Sequence, residues 1–299
     1  MSTFSEEVAM DAIRSRSSQS ERLLTFSRVF VGVDGSPESR EAARQAATLT
    51  DPQGRLTLLA VYDVAPGIVG GTGSATPAYF DEDLQRELAE GALERTRQAL
   101  AGLAEPVGKL TDGNAWDELI GEITREEHTL VALGSHGVGR LRGMLVGSTA
   151  TELIHRAPCS VLVAREAARE FPKRIVVGVD GSVESAAAYA TARHLAERFG
   201  SELWPEVAHG GKGVDARMVA MIVGDHPGDV SGDPVDVLTA SAADADLLVV
   251  GSRGLHGLRS LVSVSERVAH QAECSVLIVR EPPWQRVSEE LALDAGVPG

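Results

Sequence analysis

Three short motifs occur twice in this chain, in the same order. Arg28-Val29-Phe30-Val31-Gly32-Val33-Asp34-Gly35-Ser36 returns as Arg174-Ile175-Val176-Val177-Gly178-Val179-Asp180-Gly181-Ser182. Leu133-Gly134-Ser135-His136-Gly137 returns as Val250-Gly251-Ser252-Arg253-Gly254, and Cys159-Ser160-Val161-Leu162-Val163 as Cys274-Ser275-Val276-Leu277-Ile278. Chance is a poor account of three motifs in one order, so the chain reads as two copies of one domain. The copies are unequal. Asp34 and Asp180 stand 146 positions apart but Gly134 and Gly251 only 117, which makes the second copy 29 residues shorter between those landmarks.

Each copy alternates Val- and Leu-rich runs with amphipathic ones. In the first, strands are predicted near 28–34, 55–62, 106–111, 129–134 and 159–165, with helices near 37–50, 81–103, 115–126 and 148–156. The strands are apolar throughout, as strands buried on both faces should be. Ser36-Pro37 opens the first helix with a cap and a first-turn proline. In the second copy, strands are predicted near 174–180, 202–208, 246–251 and 274–280. Between Ala208 and Asp233 it offers only a Gly-rich turn, a short apolar stretch (Arg217 to Val223) and Gly/Asp/Pro-rich sequence. The long helix at 81–103 therefore has no full counterpart there. Such alternation predicts an α/β fold, with two doubly wound, Rossmann-like parallel-sheet domains in tandem and the second shortened. The expected limits are a flexible N-terminal extension at 1–27, a first domain at 28–168, a second at 172–281 and a C-terminal tail at 282–299.

Composition narrows the partners. A chain of 299 residues with 43% apolar content can build two ordinary cores. Its net charge of −15 argues against nucleic acid and against an acidic membrane surface. The longest apolar runs are too short to span a bilayer. The first residues carry acids and no continuous apolar core, so no secretory signal is expected there and a cytoplasmic protein is. Cys159 and Cys274 each sit in an apolar run and read as small buried hydrophobes, not as a disulfide or metal ligands.

Gly134-Ser135-His136-Gly137 is followed, after nine residues, by Gly147-Ser148. The segment lies between a predicted strand (129–134) and a predicted helix (148–156). Glycines let backbone N–H groups turn toward an anion, and a helix start adds its own free N–H groups and positive dipole end. This is a recipe for holding a phosphate. Ser148 would serve both as N-cap and as phosphate donor. Ser135 and His136 would line the pocket. His136 has no adjacent carboxylate to make it an acid–base catalyst. Arg140 and Arg142 would neutralise phosphate charge or simply be solvated surface.

Val-Gly-Val-Asp-Gly-Ser at the first strand, Gly-x2-Gly-x9-Gly-Ser after the fourth and Pro158-Cys159-Ser160-Val161-Leu162-Val163 at the fifth resemble the universal stress protein family, in its tandem two-domain form. The resemblance spans about 28–165 and 174–280. It implies a sheet of order 3-2-1-4-5, whose winding reverses between strands 1 and 4. Ligands bind such sheets at that reversal, at the strands' carboxyl ends. Asp34 ends strand 1 and Gly134 ends strand 4, so the two motifs should share one crevice although 100 positions separate them. By the same resemblance the ligand is an adenine nucleotide, ATP with or without Mg²⁺. Asp34 would sit against its adenosine part, or act only as a turn former before Gly35. Val61 matches the position whose backbone meets the adenine, or is simple core. Gly134, Gly137 and Gly147 would admit the phosphates. The family also pairs domains through strand 5, so the two copies should pair within one chain, with a homodimer as a further step.

The second copy departs from the pattern. Asp180, Gly251, Gly254 and Ser263 keep its motif, but Val262 stands where the third glycine should. A branched side chain at a close phosphate approach would clash, so weak or no binding is expected there. No lysine of the Walker type follows either loop and no general base is placed, so no catalytic residues are expected. The expected function is that of an ATP-binding stress-response or regulatory protein, with nucleotide mainly in the first domain. The alternatives are a ligand-free interaction module of the same fold and, behind it, a slow ATP-hydrolysing enzyme.

Overall fold

Both halves build the turn after their first strand in the same way. β1 (Phe26–Gly32) runs into Val33-Asp34, Gly35 turns the chain at φ +82, and α1 (Pro37–Leu49) starts beyond it. The left-handed φ suits glycine, which has no Cβ to clash. The Ser36 hydroxyl accepts from the Ser39 N–H at 3.0 Å, capping the helix at its first-turn proline. The computed structural model describes residues 26–62, 67–69, 76–78, 82–135, 146–167, 170–209, 216–224, 229–252 and 263–280.

After α1 the first half continues with β2 (Thr50–Tyr62), a small hairpin of β3 (Gly67–Val69) and β4 (Thr76–Ala78), α2 (Glu82–Ala99) and β5 (Val107–Asp112). It ends with α3 (Ala115–Arg125), β6 (Leu130–Gly134), α4 (Ser148–Arg156) and β7 (Ser160–Ala164). The second half comprises β8 (Arg174–Gly178), α5 (Val183–Phe199), β9 (Glu202–His209), α6 (Ala216–Val223) and β10 (Asp229–Ser231). It closes with α7 (Pro234–Ser241), β11 (Leu247–Gly251), α8 (Val264–Gln271) and β12 (Ser275–Val279).

Ten strands form one sheet in the order β10-β9-β8-β11-β12-β7-β6-β1-β2-β5. Numbered within each half, that is 3-2-1-4-5 twice. Every pairing in this sheet is parallel except where the halves meet, at β7 and β12, which run antiparallel with Leu162 opposite Leu277. These leucines are repeat equivalents, so a pseudo-two-fold axis passes between them. The strands alternate between two apolar layers that continue across the junction. Val29, Val31 and Val33 face one layer with α1, α2, α5 and α6, while Phe30 faces the other with α3, α4, α7 and α8. A sheet covered on both faces explains why its strands read as unbroken apolar runs.

The structure departs from the sequence expectation in four places. β1 begins at Phe26, before Arg28, because the Phe26 ring is buried in the core. β2 begins at Thr50, opposite Phe26, with an irregular register between Phe26 and Arg28. The hairpin of β3 and β4 carries no period long enough to announce itself. In the second half, where a third strand had no sequence signal, β10 adds three residues against the six of β5, while α6 is as short as expected, eight residues against the eighteen of α2. The expected extension and tail lie outside the described residues, apart from Phe26 and Ser27. No helix among the described residues is long and apolar enough to cross a membrane.

Candidate functional site

β1 is flanked by β2 on one side and β6 on the other, so the winding of the first half reverses between β1 and β6. At their carboxyl ends lies a cavity of about 240 Å³. Val33 and Asp34 enter it after β1, Leu59 and Val61 from β2, Ala115 and Leu119 from α3, Gly134 from β6, and Gly147 to Ala150 from the start of α4. A wider, more open space of about 470 Å³ adjoins it, sharing Val61, Ala115, Ser148 and Thr149 and adding Trp116 and Glu152. Asp34 and Gly134 thus meet in one crevice.

Asp34 builds the turn and faces the cavity at once. Its Oδ1 accepts from the Ser36 N–H at 3.0 Å and the Ser36 hydroxyl at 2.6 Å. Val61 is half-buried at the cavity wall, opposite Thr111 of β5.

The glycines have different reasons to be glycine. At Gly134 an added Cβ would stand 2.7 Å from the backbone carbon of Glu38, so the close approach of α1 requires a bare position whatever the ligand. Among the described residues, an added Cβ at Gly147 would meet nothing nearer than the Ser135 carbonyl oxygen, at 3.8 Å, and φ is −59. The described packing around Gly147 therefore leaves room for a side chain.

Gly147, not Ser148, is the N-cap of α4. Its carbonyl accepts the first helical bond, from the Thr151 N–H at 2.9 Å, and Ser148 is the first helical residue. The expected cap at Ser148 is thereby corrected: the helix starts one residue earlier. With glycine at the cap, no side chain among the described residues caps the first turn, and the residues of that turn, Ser148 to Ala150, line the cavity. Ser135 also differs from expectation. It is buried outside the cavity lining, where its N–H donates to the Ala164 carbonyl at 3.0 Å and its carbonyl accepts from the Gly147 N–H at 2.9 Å. It ties the two ends of the glycine loop together. His136, Gly137, Arg140, Arg142, Gly254 and Val262 lie outside the described residues.

The sequence reasoning passed over Leu59, Ala115, Trp116 and Thr149. One signal was present: Asn114 precedes α3 and caps it, its side chain accepting from the Trp116 N–H at 2.9 Å, which brings that helix start to the same rim. The cysteines take no part. Burial pushes the Cys159 thiol up to about 12 and the Cys274 thiol to about 11, so neither is a thiolate at neutral pH.

The second half repeats the scaffold with a different finish. Asp180 holds its turn through Ser182, at 2.9 Å from the N–H and 2.6 Å from the hydroxyl. An added Cβ on Gly251 would collide with the Glu184 backbone, as on Gly134 it would with Glu38. The Val33 N–H donates to the Leu59 carbonyl at 2.9 Å, and the Val179 N–H to the Glu206 carbonyl at the same distance, so Glu206 stands in the place of Leu59. Its Oε2 accepts from the Ser241 hydroxyl at 2.6 Å. Ser263 is the N-cap of α8 and closes that helix with its own side chain, accepting from the Glu266 N–H at 3.3 Å.

Comparison with known proteins gives a consistent result. A profile described as the universal stress protein family matches residues 25–165 and 222–280. The interval it leaves, 166–221, holds β8, α5, β9 and part of α6. The chain is 30% identical over 290 residues to a universal stress protein of Mycolicibacterium smegmatis, covering 84% of this chain and 96% of that one. It is 27% identical over 288 residues to one from Mycobacterium tuberculosis, covering 85% and 96%. Among solved structures, a universal stress protein from Archaeoglobus fulgidus superposes with TM-score 0.66 at 20% identity, covering 85% of this chain and 98% of that one. A functionally unknown protein from Pseudomonas aeruginosa superposes with TM-score 0.64 at 18% identity, covering 91% and 99%. These two likenesses are of fold.

Proposed function

The chain belongs to the universal stress protein family, and from that premise we propose that its first half binds an adenine nucleotide, ATP with or without Mg²⁺, as a cytoplasmic stress-response or regulatory protein. One observation carries the reading. Among the described residues, Gly147 leaves the first turn of α4 without a side-chain cap, beside a cavity at the winding reversal, at a position where the neighbouring described residues leave room for a side chain. A bare, open helix start is a phosphate site. In this assignment the phosphates lie against Gly147 and Ser148, the ribose against Asp34, and the base between Val61 and the start of α3.

The second half serves as a packing partner. Ser263 already satisfies its helix start, and Glu206 puts a carboxylate where the first half has a leucine. The halves pair within one chain, so nucleotide binding requires no second copy. We read the site as a binder, with ATP turnover below about 1 per second, the low end of ordinary enzyme rates.

Calorimetric titration of ATP with Mg²⁺ into the full chain, beside Gly147→Val, tests the reading. One site per chain, lost in the variant, supports it. Two sites of similar affinity overturn the division of labour between the halves. No binding by either protein overturns the nucleotide reading and leaves the ligand-free interaction module.

A further inference from the structure

The pseudo-two-fold junction carries a matched pair of arginines, Arg280 buried and Arg165 half-buried. Arg165 follows β7 and Arg280 follows β12, each six residues after its cysteine. The Ser275 hydroxyl accepts from the Arg165 N–H at 3.0 Å and donates to its carbonyl at 3.2 Å. The Ser160 hydroxyl does the same for Arg280, at 3.1 and 3.2 Å. So anchored, each guanidinium crosses into the other half and grips the end of a helix. Arg165 donates to the carbonyls of Ala269 at 2.6 Å and Cys274 at 3.1 Å, at the end of α8. Arg280 donates to Ala157 at 2.9 Å, to Leu153 at 3.3 Å and to Ile154, at the end of α4.

The two grips are alike but the helices are not. α4 is the helix whose open start faces the first-half cavity, whereas α8 starts on its own serine cap. We propose that Arg280, supplied by the second half, is a positioning residue for the first-half site: it seats α4 from its C-terminal end and so sets the N–H groups offered at its N-terminal end. This rests on the nucleotide reading of that cavity.

The physical route is short. α4 has nine residues, about 14 Å of rigid rod. Its last carbonyls have no helical partner and would otherwise loosen the final turn. A cation at that end also offsets the negative pole of the helix, which leaves the positive pole to the ligand. Burial lowers the Arg280 pKa to about 10, so the charge persists at neutral pH. Ligand sites need their donors held within about half an ångström, and a side chain fixed in the other half's strand holds them against the sheet. The second half then contributes to binding without a site of its own.

Pseudo-symmetry provides the control. ATP affinity with Mg²⁺ is measured by calorimetry on the full chain for wild type, Arg280→Met, Arg280→Lys and Arg165→Met, with amide exchange of α4 and α8 followed in the apo proteins. Arg280→Met should weaken ATP about tenfold and speed exchange in α4. Arg280→Lys, which keeps the charge and loses the fork, should fall between it and wild type. Arg165→Met should loosen α8 and leave ATP affinity within about twofold. Equal affinity in wild type and both Arg280 variants overturns the assignment, as does an equal loss in Arg165→Met. If Arg280→Met does not fold, Arg280→Lys decides alone. If wild type binds no ATP, the nucleotide reading falls separately. Unchanged α4 exchange in the Arg280 variants then overturns the seating, and faster exchange confined to α4 upholds it.

Discussion

The starts of α4 and α8 are the same place in two copies of one fold, finished in opposite ways. Both follow a glycine-ended strand, β6 or β11, at the reversal of a 3-2-1-4-5 sheet. At α4 a glycine caps the helix and leaves its first turn open to a cavity. At α8 a serine caps the helix with its own hydroxyl. What stays the same is what packing requires: Gly134 against Glu38, Gly251 against Glu184, and the aspartate turns at Asp34 and Asp180. What differs is the helix cap: Gly147 at α4 and Ser263 at α8. A duplicated fold thus separates glycines that packing requires, Gly134 and Gly251, from Gly147, which the described packing does not; on the proposed reading the second copy has dropped the ligand's demand and kept the scaffold's.

The comparison can be broken most sharply at Gly147. Gly147→Val should reduce ATP affinity at least a hundredfold, or about 3 kcal/mol, while its Tm stays within a few degrees of wild type. A large Tm loss would show a packing glycine after all. Gly134→Ala and Gly251→Ala should behave alike in chemical denaturation, each losing about 1–3 kcal/mol to the collision with a helix backbone. Of these two, only Gly134→Ala should also weaken ATP. Asp34→Ala and Asp180→Ala sharpen the contrast further: both loosen a turn, but only the first should lower ATP affinity, by about tenfold. Ser263→Ala should remove about 1 kcal/mol of stability with no change in binding.

The smallest expected effect concerns pH. His128 is buried against the Phe30 ring, 5.2 Å between centroids, with Nε2 3.6 Å from Glu122 Oε1. Burial lowers its pKa from the ordinary 6.5, and Glu122 pulls the other way without reversing it. As pH falls the unfolded chain takes the proton first, so stability is lost below about pH 6.5. Urea unfolding at neutral pH and near pH 5.5 should show a smaller drop in His128→Gln than in wild type. His270, lowered chiefly by burial at the junction, adds a loss of the same sign.

Much of this was legible in the chain. Alternating strands and helices, the Asp-Gly turns and the serine cap before Pro37 all rest on local spacing, and local spacing is what a sequence displays. The walls of the site were less visible. Leu59, Ala115 and Thr149 come from three elements and look like ordinary core until the sheet brings them together. Ser135 sits inside a recognisable motif yet is not among the residues lining the cavity, and its carbonyl accepts from the Gly147 N–H. The third strand of the second half, three residues long, has too few positions to show a period.

The sequence by itself determined the duplication, the strand–helix alternation and the places where chain reversal requires glycine, because each depends on residues near one another in the chain. Which glycine serves packing and which leaves a helix start open was decided by the tertiary structure alone. That distinction depends on how near Glu38, Glu184 and Ser135 come, and only the folded sheet sets those distances. The reach of Arg280 from the last strand to the end of α4 belongs to the same class, since its two ends lie more than 120 positions apart.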